Sequence, residues 1–237
     1  KVYEYEPLHP SLTPEQQKRI IGVQANLWTE YVTSYHHVEY MELPRMAALC
    51  EGQWCRPENK DYADFLQRLI PMVDMYDVKG YNYARHIFDV DNTFTIDTVK
   101  NCVVATLSTI DGSPIYYTLD GTEPTSSSAR YKAPVELAQS CVIKAKAIGK
   151  RGATRTFEEE LTYSKATAKP VAYLQPAYKG YDYAGAQTLV DGLKGNHNYR
   201  TGRWIGFAGN DFELLIDLQE ITDVQRVSLS TCVEKGD

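Results

Sequence analysis

Long hydrophobic runs, basic clusters and metal-type cysteine spacings are all missing from this 237-residue sequence. No apolar stretch approaches the ~18–20 residues of a membrane-spanning helix, and the start, KVYEYEP, lacks the pattern of a signal peptide. The net charge is −6 and Lys and Arg are not clustered, so the basic footprint of nucleic-acid binding is absent. We expect a globular protein with neither a membrane span nor a nucleic-acid partner.

Cysteine is scarce and irregularly spaced. The five residues include no C-x-x-C pair, so zinc is not expected, and we predict no metal and no cofactor. Cys102 and Cys141 would form a disulfide if they lay on neighbouring strands. Buried free thiols are the interpretation we favour, and the redox compartment stays open.

An alternating segment, GVQANLWTEYV at residues 22–32, predicts a strand over 20–28. The odd-numbered face is apolar and consists of Ile21, Val23, Ala25 and Leu27. The even-numbered face becomes polar toward its C-terminal end and includes Gln24, Asn26, Trp28 and Glu30. An antiparallel sheet with one solvent-exposed face would give such a pattern. A barrel strand with helices outside and a site at its C-terminal end explains Trp28 better.

Helical periodicity follows this strand. A helix is predicted over about 37–53, beginning late or kinking at Pro44, and a second over about 60–79 with Pro71 inside it. Gly80 is the expected C-terminal stop. A short helical turn is predicted at 13–19, with Thr13 as N-cap and Gln16 completing a capping box.

The sequence pattern changes from helical to β-like after Tyr83. Short β-like runs separated by Asp111-Gly112 and Asp120-Gly121 turns indicate a small β-sandwich over 89–165. SKATAKP, at 164–170, has the composition of a linker. Residues 171–237 contain the strand-like runs FELLIDL and VQRVSLS, and they are fewer than the ~100 residues of a two-sheet domain. We expect this last domain to be incomplete.

Two linked motifs carry a family resemblance. G-x-Q-x-N-x-W-x-E at 22–30 and E-Y-x-x-x-P-R-x-x-A-L-x-E-x-x-W at 39–54 resemble the last βα unit of the family 20 glycoside hydrolase barrel, the β-N-acetylhexosaminidases. IYYTLDGTEPTSSSARY resembles the small chitobiase C-terminal or Fn3-like sandwich that follows this barrel in many bacterial enzymes. LVDGLKGNHNYRTGRWIGFAGNDFELLIDL resembles the start of a discoidin-like (F5/8 type C, family 32 carbohydrate-binding) module.

The resemblance implies a fold class of α/β followed by all-β. Residues 1–88 would be the tail of a (β/α)8 TIM barrel, 89–165 a small β-sandwich, and 171–237 the first part of a discoidin-like β-sandwich. A full barrel needs ~250 residues, and the family's catalytic Asp-Glu pair occurs nowhere in this sequence. We therefore expect a C-terminal fragment of a larger enzyme, with no catalytic residue on this chain and no activity in isolation.

The resemblance also assigns binding residues. Trp28 would form a wall of the pocket for the terminal N-acetylhexosamine, and Glu30 would accept hydrogen bonds from its 4- and 6-hydroxyls. A carboxylate suits that task because charge-assisted hydrogen bonds are the stronger ones. In the C-terminal module, Tyr199, Trp204 and Phe207 are candidates for a second, sugar-stacking site, with core packing as the alternative that we prefer for Trp204.

Two functions remain in view. In the first, the parent protein hydrolyses terminal β-linked GlcNAc or GalNAc by the substrate-assisted retaining mechanism of family 20. In the second, the chain is a non-catalytic module that adheres to glycans. An incomplete barrel would expose a face that another copy or a companion chain covers. By resemblance alone, we expect a periplasmic, cell-surface or secreted location.

Overall fold

The computed structural model describes residues 2–232, and the chain divides into two compact units between Phe88 and Asp89. Within the described range, the first unit is helical and the second is built from antiparallel sheets. The four α-helices of the first unit are α1 (Pro14–Gln17), α2 (Tyr35–Glu42), α3 (Arg45–Trp54) and α4 (Tyr62–Lys79). Short 3-10 turns lie at Pro57–Asn59 and Arg85–Phe88.

Helix α4 forms as its sequence pattern predicts. Asp61 caps its N-terminus by accepting a hydrogen bond from the Asp64 N–H at 3.1 Å, and Gly80 ends it in the left-handed conformation at φ 72°. Pro71 lies within the helix without ending it. The buried face repeats at helical spacing and consists of Phe65, Leu69, Val73 and Tyr76.

The predicted helix over 37–53 is two helices, α2 and α3. Pro44 separates them, because its ring removes a backbone donor and hinders continuation of the preceding turn. Arg45 joins the two ends by donating its Nη1 to the Tyr40 and Met41 carbonyls at 2.9 and 2.8 Å. In α1, Thr13 and Gln16 form the predicted capping box.

The predicted strand over 20–28 is wrong for this structure. Residues 20–29 have no assigned helix or strand, and no strand is assigned anywhere in the described residues of the first unit. A β-strand forms only where an adjacent strand exchanges backbone hydrogen bonds with it. In the described residues of the first unit, no second strand pairs with residues 20–28. Ile21, on the apolar face, is accordingly fully exposed.

The second unit contains the predicted small β-sandwich. Its strands are β1 (Asp91–Asp97), β2 (Cys102–Ser108), β3 (Ile115–Thr118), β4 (Ala129–Arg130), β5 (Val135–Leu137), β6 (Cys141–Gly149), β7 (Gly152–Ala153) and β8 (Phe157–Leu161). One sheet has the order β1-β2-β5, and the other has β4-β3-β6 with β7 and β8 also paired to β6. These pairings are antiparallel.

The sandwich core lies between the two sheets. Alternate residues of β2 and β6 point inward, as period-two patterning requires. One half of the core contains Val103, Ala105, Leu137, Ile143 and Leu161, and the other contains Val90, Leu107, Ile115, Ala145 and Ala147. The cysteines are free thiols in the structure, including buried Cys102 and half-buried Cys141.

The last part of the chain packs on the sandwich. Residues 164–170 are not an exposed linker: Thr167 and Ala168 are buried, and the Ala168 N–H donates to the Val190 carbonyl at 2.8 Å. Composition alone carries no signal for such packing. Two more strands, β9 (Val171–Tyr173) and β10 (Leu214–Ile216), pair antiparallel.

Strand formation in the last part of the chain differs between the two predicted runs. FELLIDL contains β10, whereas VQRVSLS, at 224–230, carries no strand. The physical reason is again the lack of a paired neighbour within the described residues. Across residues 2–232, no helix combines the length and the apolar character needed to cross a membrane.

Candidate functional site

The first candidate site lies at the C-terminal end of the extended segment 20–29. Helix α3 holds this segment through Gln53, whose Nε2 donates to the Val23 carbonyl at 3.3 Å. Val23 and Leu27 are half-buried, while the even-numbered side chains are exposed. Gln24 Nε2 donates to Asn26 Oδ1 at 2.6 Å, so two even-numbered residues lie side by side as an extended backbone requires.

Trp28 and Glu30 both lie at the surface. The Trp28 side chain is 73% exposed, and Glu30 is exposed in a turn closed by the Val32 N–H, which donates to the Thr29 carbonyl at 3.1 Å. Within residues 2–232, neither side chain has a hydrogen-bonding, ionic or ring partner. The structure does not bring the two into mutual contact, but it leaves an aromatic face and a carboxylate available to a ligand.

The second candidate set, Tyr199, Trp204 and Phe207, packs against several different partners. Phe207 contacts Tyr173 and Phe212 edge to face, with ring centres 5.8 and 5.0 Å apart. Trp204 donates its Nε1 hydrogen to the Asn196 carbonyl at 2.7 Å and lies against Gly195, where an added Cβ would come within 2.2 Å of the indole. Trp204 and Phe207 are half-buried, so their geometry fits the core-packing alternative.

Tyr199 belongs to a different group of rings. Its partner is Tyr181, at 5.6 Å between ring centres, and Tyr181 also contacts Tyr178 and Tyr183. We call Tyr178, Tyr181, Tyr183 and Tyr199 the tyrosine cluster. The sequence reading found Tyr199 and missed the other three; the Y-x-x-Y-x-Y spacing over 178–183 was the available signal.

A cluster of half-buried charged side chains lies where the last part of the chain packs against β8. Arg203 Nη2 donates to Glu159 Oε2 at 2.9 Å, and its guanidinium lies 5.9 Å from the centre of the Phe94 ring. Burial raises the pKa of Glu159, and Arg203 opposes that rise. Burial also raises the pKa of the nearby Asp191 to about 6, against the opposing effects of the Leu193 N–H and Arg203.

Replacing Asp191 with Asn is expected to stabilise the protein near pH 7 and to have little effect near pH 4. The folded-state pKa of Asp191 lies above the ~3.9 of an unfolded Asp, so the folded state binds the proton more tightly and loses stability as pH rises through about 6. Asn removes this penalty, and its Oδ1 still accepts from the Leu193 N–H, now bound at 2.8 Å. Urea unfolding across this pH range measures the difference.

The matched control for that experiment is Asp211→Asn, which neutralises an exposed carboxylate. We expect its unfolding free energy to follow the parent curve at every pH. A stability difference for Asp191→Asn that does not change with pH would contradict the assigned protonation.

The first unit also has a cleft between α3 and α4 of about 320 Å³. Apolar side chains line most of it, and the Arg68 guanidinium donates to both carboxylate oxygens of Glu51 at its wall. Glu51 therefore has a partner on the next helix. Across residues 2–232, no group of three or more His, Cys, Asp or Glu side chains is placed to hold a metal ion.

Comparison with known proteins gives two family matches. Residues 1–57 match the catalytic domain of glycosyl hydrolase family 20, and residues 105–160 match the Fn3 associated family. The first match contains Trp28 and Glu30, and the second contains most of the sandwich. Neither of these two matches reaches residues 171–237.

Two curated relatives are similar to this chain. A beta-hexosaminidase of Porphyromonas gingivalis is 31% identical over 202 residues, which is 80% of this chain and 26% of that protein. A beta-N-acetylhexosaminidase of Cellulomonas fimi is 36% identical over 83 residues, 34% of this chain and 16% of that protein. The chain thus spans about a quarter or less of the length of these relatives.

Proposed function

We propose that this chain is part of a β-N-acetylhexosaminidase that removes terminal, non-reducing, β-linked N-acetylhexosamine from glycans. The observation that carries the proposal is the family 20 match over residues 1–57, which contains the whole G-x-Q-x-N-x-W-x-E motif. Similarity to two hexosaminidases supports it. The activity belongs to the whole protein, and its mechanism would be the substrate-assisted, retaining one of family 20.

Trp28 and Glu30 would hold the terminal sugar. The open Trp28 ring suits the apolar face of a pyranose, and the unpartnered Glu30 carboxylate can accept from two hydroxyls at once. The general acid and the residue that orients the 2-acetamido group would be the missing Asp-Glu pair, supplied by another part of the protein. No residue of this chain is proposed to be catalytic.

Residues 1–88 would form the C-terminal part of a TIM barrel, with 20–28 as a barrel strand. The full exposure of Ile21 supports this assignment, because the outward, apolar face of a barrel strand is covered by the helices of the barrel. In isolation, this part would pair with another copy or with a companion chain. The sandwich would occupy 89–165.

Residues 171–237 would be the first part of a discoidin-like module with a second glycan site. All three candidates are half-buried: Trp204 and Phe207 are held by packing, whereas Tyr199 contacts Tyr181 and Arg200. The missing Asp-Glu pair favours a second function for the chain by itself, as a non-catalytic glycan-binding module. By resemblance, the proposal includes a periplasmic, cell-surface or secreted location for the whole protein.

The test is hydrolysis of 4-nitrophenyl N-acetyl-β-D-glucosaminide and its galactosaminide by the purified chain, and then by the full-length gene product. We expect no turnover by the chain and turnover by the whole protein, whose upstream sequence should contain an Asp-Glu pair. Turnover by the chain alone that Glu30→Gln abolishes would place the acid on this chain. A full-length protein without the pair and without turnover would overturn the hydrolase proposal in favour of the binding module.

A further inference from the structure

The rings of the tyrosine cluster lie on glycines. A Cβ added to Gly180 would come within 2.9 Å of Tyr178 Cε1, and one added to Gly206 would come within 3.3 Å of Tyr181 Cδ2. A Cβ at Gly202, where φ is +80°, would touch Tyr183 Cγ at 3.7 Å. Because glycine has no side chain, these rings pack directly against the backbone.

The outer rings of the cluster remain open to solvent. Tyr178 is 51% exposed and Tyr183 is 49% exposed, while Tyr181 and Tyr199 are half-buried. Tyr178 and Tyr183 therefore flank Tyr181, and contiguous exposed apolar surface of this kind marks interaction sites.

Backbone hydrogen bonds fix this surface. The Tyr178 N–H donates to the Gly206 carbonyl at 2.8 Å, and the Gly206 N–H donates to the Tyr181 carbonyl at 3.0 Å. The Tyr181 N–H closes a turn on the Tyr178 carbonyl at 2.8 Å. A backbone held in this way is preorganised, which lowers the entropic cost of ligand binding.

One cation belongs to the cluster and lacks an acidic partner. The Arg200 guanidinium lies 5.4 Å from the centre of the Tyr199 ring, and within residues 2–232 it makes no ion pair. The carboxylate of Asp182, on the same loop as the tyrosines, accepts a hydrogen bond from the Tyr173 hydroxyl at 2.6 Å. Arg200 is exposed; its side chain hydrogen-bonds to Tyr199, and its other donors face solvent.

These groups suit one ligand chemistry. Aromatic rings with free faces stack on the C–H face of a pyranose, and a guanidinium binds a carboxylate through two parallel hydrogen bonds. Nucleic acid would also stack on tyrosine, but it requires a positively charged groove, whereas this chain has a net charge of −6. An acidic peptide would use Arg200 but would gain little from two separated, open rings.

We propose that the tyrosine cluster and Arg200 bind an acidic glycan, with pyranose rings on Tyr178 and Tyr183 and a sugar carboxylate paired with Arg200. The proposal deepens the second glycan site proposed above, because it names the ligand class and moves the site from Trp204 and Phe207 to the tyrosines. It does not depend on the hydrolase activity, which the chromogenic assay tests separately.

The experiment is titration calorimetry of the purified chain with trigalacturonate and with its methyl ester, which keeps the shape and removes the charge. 3′-Sialyllactose and lactose form a second pair that distinguishes a uronate from a sialate. We expect at least one acidic sugar to bind about tenfold or more tightly than its neutral counterpart, as one charge-assisted pair implies. Arg200→Gln should abolish that preference.

Three further variants separate recognition from folding. Tyr183→Ala should weaken binding of the acidic sugar, and Tyr183→Phe, which keeps the ring, should retain it. Arg226→Gln, at an exposed arginine outside the cluster, is the matched charge control and should bind as the parent does, with unfolding curves showing that each variant is folded.

Three results would overturn the inference. Equal affinity for charged and neutral sugars that Arg200→Gln leaves unchanged would leave a neutral glycan site and refute the acidic one. Binding of poly-glutamate in preference to every sugar would reassign the surface to an acidic peptide. No binding of any of the four sugars would refute both this inference and the second glycan site.

Discussion

Glu30→Gln in the full-length protein is expected to lower kcat/KM for a β-N-acetylhexosaminide by more than tenfold, with little change in folding. The amide keeps the size of the side chain but removes its charge, and one of the two acceptor oxygens becomes a donor. Sugar hydroxyls that donated to the carboxylate would then face an N–H group. A tenfold loss corresponds to ~1.4 kcal/mol of transition-state stabilisation, close to the lower limit for a hydrogen bond to a charged group.

The control for this prediction is Glu58→Gln. Glu58 lies in the 3-10 turn at Pro57–Asn59, its side chain is 66% exposed, and its ion pair with Arg56 is long at 4.0 Å. The same chemical change at this position should leave kcat/KM unchanged. If Glu30→Gln also leaves kcat/KM at the parent value, the sugar-binding role of Glu30 is refuted.

Leu161→Ala is expected to lower the free energy of unfolding by about 2–5 kcal/mol, the range for truncating a buried leucine. Leu161 ends β8 at 1% exposure and packs in the core half that includes Val103 and Ile143. It also forms an isolated bridge with Leu193. The cavity would therefore weaken both the sandwich and the attachment of the last part of the chain.

Urea unfolding followed by circular dichroism measures this effect. The control is Leu215→Ala, at a strand position in β10 that is 58% exposed, where we expect a change within about 0.5 kcal/mol. Equal losses for the two variants would contradict the packing described for Leu161.

Local chemistry made part of the fold predictable. The capping box at Thr13 and the Gly80 stop are determined by residues within a few positions of each other, and so is the helical face that Phe65 and Val73 share. The structure has all of them. The short β-like runs and the Asp-Gly turns also predicted a small β-sandwich, and the structure has two antiparallel sheets there.

The Trp28 and Glu30 motif was visible in the sequence for a different reason. It could be identified by resemblance, since its spacing with the 39–54 motif is local, and the family 20 match includes both residues. Their roles in binding a sugar remain predictions, because an exposed tryptophan and an exposed carboxylate do not specify a ligand by themselves.

Only the tertiary structure decided the features that depend on distant partners. Residues 20–28 and 224–230 alternate like strands, yet neither forms one, because a strand needs a neighbour that its own sequence does not supply. Ala168 lies within a segment of linker composition, yet it is buried and its N–H donates to the Val190 carbonyl. Such contacts join residues far apart in sequence, so no local pattern records them.

The tyrosine cluster also combines a feature that the sequence predicted with contacts that only the structure shows. Sequence alone determined that this part of the chain is rich in tyrosine and glycine, and it singled out Tyr199 as a candidate for stacking on a sugar. The structure decided which rings meet, because the chain brings Gly206 beside Tyr181 and Gly202 beside Tyr183. Local sequence fixes helix ends, turns and the face of a strand, whereas the pairing of separate segments is fixed by packing and hydrogen bonds between them.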